Sequence, residues 1–135
     1  MSNIDEKAKE ELEKGYDKAE KVLNNDDKLE KVLKRTEKKL ELIPVAGTKL
    51  AMIPTFLSLI KSYKKKEYTD IPIGTIIAVV SALIYFVSPI DIIPDVVPFV
   101  GHIDDAAVIA ACIALVASDL DDYKKWRDNK DKHNG

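Results

Sequence analysis

Four aspartates, Asp91, Asp95, Asp104 and Asp105, stand with Ser88 and His102 in a stretch that is otherwise apolar, Tyr85 to Asp105. Carboxylate oxygens gathered this way suit hard divalent cations such as Mg²⁺, Ca²⁺ or Mn²⁺. If the four converge, mutual repulsion raises some of their pKa values unless a cation or hydrogen-bond donors compensate. His102 could add a nitrogen ligand, although a lone histidine before a helix is more often a polar end residue. Hydrolytic chemistry would need more than acids, and no nucleophile–base pair accompanies them. No catalytic residue and no metal or other cofactor is therefore assigned, and the cluster is carried forward as a structural or ligand-binding candidate.

The structural alternative explains most of the same residues. Ser88-Pro89-Ile90-Asp91 reads as a capping box, with Ser88 at the N-cap, Pro89 at the first helical position and Asp91 reaching back to the Ser88 amide. Pro94 and Pro98 prevent a long helix, and Gly101 permits a positive φ before the next one. Asp104 and Asp105 then fall in the first turn of that helix, where carboxylates favour the positive end of its dipole.

Two apolar helices must flank this linker. The run 71–90 holds 20 residues without a charge, and 106–118 holds 13, bounded by Asp105 and Asp119. The first is about the length that crosses a bilayer, but once the turn residues are removed it is marginal. The second is short for a span and typical of a buried helix. Gly74, Ala78 and Ala82 recur every fourth residue in the first, as do Ala106, Ala110, Ala114 and Ser118 in the second. Small side chains at that spacing allow two backbones to approach, predicting an antiparallel hairpin, 72–87 and 103–120, packed along this seam. The larger residues, among them Ile76, Leu83, Ile84, Val108 and Leu115, would then face outward and need other helices or lipid to cover them.

Upstream, residues 1–41 form a charged amphipathic helical arm with 11 basic and 12 acidic side chains. Asn24-Asn25-Asp26-Asp27 should end one helix and cap the next. Beyond it Leu29, Val32, Leu33, Thr36 and Leu40 form one apolar stripe, and Glu30–Lys34 has the spacing of a helical ion pair. The stripe fits either a helix laid across the rest of the fold or an arm that binds a protein partner. After the apolar turn 43–47, Pro54 should kink a helix over 48–63 or divide it into two short pieces. The lysines of the 61–66 cluster suit the C-terminal end of that helix, or else an anionic membrane surface. Leu120, Tyr123 and Trp126 recur at spacing three, for docking on the hairpin or for a membrane interface. The tail 128–135 is small, polar and expected to fray.

At 135 residues the chain fits one domain, and a net charge of −2 argues against a broad nucleic-acid-binding face. The single cysteine, Cys112, cannot form an internal disulfide and lies in an Ala-rich run, as a buried thiol would. The N-terminus is charged and lacks the apolar core of a secretory signal peptide.

The string Ser88-Pro89-Ile90-Asp91-Ile92-Ile93-Pro94-Asp95, followed by Gly101-His102-Ile103-Asp104-Asp105, closely resembles the core motif of the YkvA-like family, domain of unknown function 1232. The resemblance extends over about Leu29 to Arg127, placing the family-like hydrophobic helical domain at 42–127. Position 102 is commonly aromatic in such proteins, and His102 departs from that pattern. The resemblance implies a helical hairpin and membrane association, and it supplies no accepted activity from which catalytic residues could be carried over.

The expectation is thus an all-α small bundle built on the apolar hairpin. Its function would be non-enzymatic and membrane-associated, with membrane lipid as partner and the N-terminal arm cytoplasmic. The competing reading is a cytoplasmic, soluble bundle acting as a protein-interaction module. A divalent-cation or hydrolytic site on the aspartates comes third.

Overall fold

The computed structural model describes residues 3–43, 49–87 and 105–134. These residues form six α-helices and one 3-10 turn, with no strand among them. The helices are α1 (Asn3–Lys14), α2 (Tyr16–Leu23), α3 (Asp26–Leu42), α4 (Ile53–Lys64), α5 (Ile73–Val87) and α6 (Asp105–Asn134), with the 3-10 turn at Lys49–Met52 preceding α4. The all-α bundle read from the sequence is the fold observed.

Local chemistry sets the boundaries. Asn25 is the N-cap of α3, in an extended conformation, and its Oδ1 accepts from the Lys28 amide at 3.1 Å. That bond satisfies one of the amides left without an intrahelical partner at a helix start. Pro54 sits in the first turn of α4, where its missing N–H costs nothing, so the 3-10 turn and α4 are the two pieces that proline demands. The C-terminus of α4 closes with paired bonds from Glu67 N to Ser62 O at 2.9 Å and from Lys66 N to Tyr63 O at 3.0 Å. This Schellman arrangement needs a left-handed residue, and Lys66 provides it at φ 63°.

Helix α5 is the centre of the molecule. It carries no charge, and it packs against each of the other five helices. Ile76, Val79, Val80, Leu83 and Phe86 are fully buried. A helix that is apolar around its whole circumference must be enclosed, and α1 to α4 do most of the enclosing. Leu12, Ala19, Leu29, Phe56 and Ile60 join the α5 side chains in one continuous core. The stripe on α3 is spent on this packing: Leu29 and Thr36 are buried, and Val32, Leu33 and Leu40 are half-buried. Ile76, Leu83, Ile84, Val108 and Ile109 are likewise covered by protein.

Helices α5 and α6 run antiparallel. Thr75 Oγ1 donates to Asp119 Oδ2 at 2.6 Å, while the Cys112 thiol, two turns earlier on α6, points at the Ala78 carbonyl oxygen at 3.6 Å. α6 continues to Asn134, so the residues expected to fray are helical nearly to the chain end. Its second half is anchored by aromatic packing. Tyr68 meets Tyr123 edge-on at 5.2 Å between centroids and Trp126 at 5.0 Å, and Tyr123 stacks on Trp126 at 5.8 Å. Leu120 and Tyr123 are buried, which assigns this trio to docking within the fold.

Candidate functional site

Ser88, Asp91, Asp95, His102 and Asp104 lie outside the described residues, and Asp105 enters only as the first residue of α6. Among the described residues no group of three or more His, Cys, Asp or Glu side chains is arranged to hold a metal ion. The structure does define the two helix ends between which the linker runs. At the end of α5, Lys39 Nζ donates to the Phe86 carbonyl at 2.6 Å and lies 4.4 Å from the centre of the Phe86 ring. A cation here satisfies an orphan carbonyl, complements the negative end of the α5 dipole and contacts an aromatic face. The sequence reading did not single out Lys39, because its target is 47 residues away and no local pattern connects them.

The small-residue seam divides unevenly. On α5, Ala78 and Ala82 are buried, but Gly74 is exposed and a Cβ there would meet nothing within 4 Å. On α6, Ala106 and Ala110 are half-buried, and Ala114 and Ser118 are exposed. The inward side of α6 is instead Val108, Ile109, Cys112, Val116 and Leu120. The expected alanine seam on α6 is therefore corrected to a face of larger side chains. The physical reason is area: stabilisation of about 25 cal/mol per Å² turns the branched residues inward and leaves the alanines out. Leu115 is the exception, 50% exposed among those outer alanines.

This rotation leaves a surface of unusual composition. From Ala106 to Ser118 the outer side of α6 carries no charge, whereas from Asp121 to Lys130 it is charged. The uncharged half begins beside the end of α5, because the two helices are antiparallel. Leu42, one turn beyond the Lys39 that caps α5, belongs to the same end of the bundle and is 76% exposed. The exposed Leu115 stands further along, between the levels of Ala78 and Thr75 and so towards the start of α5, where Ile73 is also exposed. Among the described residues this leaves Leu42 as the exposed large apolar residue at the end where α5 stops.

The lysines of the 61–66 cluster lie elsewhere. Lys61 pairs with Glu37 at 2.6 Å, and Lys64 reaches Asp26 at 3.2 Å and the Leu23 carbonyl at 3.1 Å. Asp26 and Lys39 stand at opposite ends of α3, about 20 Å apart by helical rise. Two of the four lysines are therefore engaged in protein contacts, and Lys64 is held far from the end that carries Leu42.

A groove of about 440 Å³ opens beside this cluster, with Ser58, Lys61, Ser62 and Lys65 among its lining residues. Its inner wall is a hydroxyl network: Ser58 Oγ and Ser62 Oγ both bond to the buried Tyr123 hydroxyl, the latter at 3.2 Å. The serines are one turn apart, a spacing that could have flagged them on an apolar helix. Their hydroxyls meet no carboxylate or imidazole among the described residues, so the arrangement satisfies a buried phenol without activating a nucleophile. Cys112 offers no reactivity either, since burial pushes its thiol up to about 12.

No helix among the described residues is long and apolar enough to cross a membrane. α5, at about 1.5 Å per residue, reaches only about 22 Å against a hydrocarbon core of about 30 Å. Over the described part of the uncharged run, residues 71–87, the length that could cross a bilayer is corrected to a shorter helix, Ile73–Val87, enclosed by the bundle.

Comparison with known proteins adds the relationship. Residues 75–111 match the family model described as protein of unknown function (DUF1232). The chain is 37% identical over 73 residues to the "Uncharacterized membrane protein YkvA" of Bacillus subtilis (strain 168), covering 54% of this chain and 69% of that protein. No solved structure matches. With that identity over more than two thirds of the relative, the chain belongs to the YkvA-like DUF1232 family.

Proposed function

We propose that this protein is a non-enzymatic, membrane-associated bundle that meets the bilayer with the end that carries Leu42, without a described helix crossing it. The carrying observation is the exposed Leu42 at the end of the bundle where α5 stops and the uncharged half of α6 begins, with Ala106 and Ala107 only half-buried there. The two sequence segments that continue from this end, 44–48 and 88–104, are themselves rich in apolar residues. An exposed leucine beside apolar continuing segments on a charged bundle fits a monotopic attachment in which side chains enter the headgroup and acyl boundary. The name of the Bacillus subtilis relative supports the same reading. The charged outer faces of α1 to α3 would lie on the cytoplasmic side.

Fractionation of cells expressing the chain tests the proposal. The protein should sediment with membranes, resist high salt and be released by alkaline carbonate. Recovery wholly in the soluble fraction without detergent would remove the membrane reading and favour the interaction-module alternative. Release by salt alone would replace the apolar contact with an electrostatic one.

A further inference from the structure

The outer side of α3 carries a feature that the packing of the bundle does not use. Lys31, Arg35, Lys38 and Leu42 follow at spacings of four, three and four, so they share one helical face. All four are exposed. Arg35 and Lys38 form no ion pair or hydrogen bond among the described residues, whereas neighbouring Lys34 is neutralised by Glu30 at 2.9 Å. The stripe leads from three cations to an exposed leucine at the end of the bundle where α5 stops.

The order of these residues matters. Basic side chains favour the C-terminal half of any helix through its dipole, but that effect places no demand on an exposed leucine beyond them. A leucine tip followed by a ladder of long cations is the arrangement in which an apolar group enters the acyl boundary while the cations remain at headgroup level. We infer that the Lys31–Arg35–Lys38–Leu42 face of α3 is the contact with anionic lipid headgroups, Leu42 entering the membrane boundary and the cations pairing with lipid phosphates. This rests on the membrane reading above and specifies its electrostatic part. It also transfers that part away from the lysines at 61–66, two of which are spent on Glu37 and Asp26.

Co-sedimentation of the full chain with vesicles decides the matter, using phosphatidylcholine alone and phosphatidylcholine mixed with phosphatidylglycerol. The parent should bind the mixed vesicles more tightly. An Arg35→Gln, Lys38→Gln double variant should lose roughly 30-fold in partition to the anionic vesicles, from about fivefold for each basic residue near such a surface. Its thermal melt should be unchanged, because both side chains are exposed and unpaired. Lys65→Gln, Lys66→Gln should bind as the parent does, and Leu42→Asp should weaken binding to both vesicle types. Equal binding of the parent to both vesicles, or an undiminished Arg35/Lys38 variant, would overturn this inference and leave the membrane reading standing. A parent that binds neither vesicle would overturn both.

Discussion

Gly15 and Ser81 are in contact across the α1–α2 junction and α5. A Cβ at Gly15 would lie 2.5 Å from Ser81 Oγ, and that hydroxyl donates to the Leu12 carbonyl at 2.6 Å. Leu12 O also accepts from the Gly15 amide at 3.2 Å, so one carbonyl ties the end of α1 to the central helix. Gly15 has right-handed helical torsions, φ −87° and ψ −1°, so glycine is required there by space and not by backbone conformation.

Gly15→Ala should therefore destabilise the protein by about 1–3 kcal/mol, although the same change at an unobstructed helical site stabilises by up to about 1 kcal/mol. Urea denaturation measures the loss. Adding Ser81→Ala should recover part of it by removing the clashing oxygen. Equal losses in the single and double variants would show that the contact is not the cause.

At Lys66 the strain is in the backbone. A lysine at φ 63° sits in the left-handed region that glycine occupies without penalty. Lys66→Gly should raise the stability by about 1 kcal/mol through relief of the αL cost at a Schellman position. A shift of the denaturation midpoint to higher urea at constant slope is the expected result.

Cys112 should be chemically silent in the native state. Its thiol is fully buried and held at about 12 by desolvation, so the thiolate that would attack a disulfide reagent is essentially absent at neutral pH. Native protein should react with a thiol reagent only as fast as it opens, while protein in denaturant reacts at once. Rapid stoichiometric labelling without denaturant would contradict the packing of α6 on α5.

The phenol of Tyr68 gives a pH dependence of definite sign. Its pKa is raised above 10.0, first by desolvation and then by Asp122, Asp70 and Asp119. The folded state holds the proton more tightly than the unfolded state, so this contribution is fully present below pH 10 and is lost as pH rises through the folded value. Stability should decline above pH 10, and the decline should be shallower in Tyr68→Phe. Chemical denaturation at intervals from pH 8 to 11.5 provides the comparison.

For the aspartates of the linker and the start of α6, we expect local capping behaviour. Alanine at a capping position should cost on the order of 0.5–2 kcal/mol. Losses from Asp91 and Asp105 should be nearly additive if the two residues do not touch. Calorimetric titration of chelator-treated protein with Mg²⁺, Ca²⁺ and Mn²⁺ should give no heat and no thermal shift. Ion-dependent stabilisation that disappears in Asp91→Asn, Asp105→Asn would instead establish a shared cation.

Signals that act within a turn or two of the chain were legible in the sequence. Asn25 caps α3 through an amide three residues away, Pro54 restricts only its own turn, and the uncharged runs required enclosed helices. Family membership was legible too, since it depends on the order of residues in the linker. What the tertiary structure decided was orientation and partnership. Spacing alone showed that Ala106, Ala110, Ala114 and Ser118 share one side of α6, but not whether that side turns inward. Competition with Val108, Ile109, Cys112, Val116 and Leu120 settled it, because the larger residues remove more apolar area from water when buried. Lys39 on the Phe86 carbonyl and Gly15 against Ser81 depend on contacts 47 and 66 positions apart. Such pairs exist only once the helices have packed, so no local pattern in the chain encodes them.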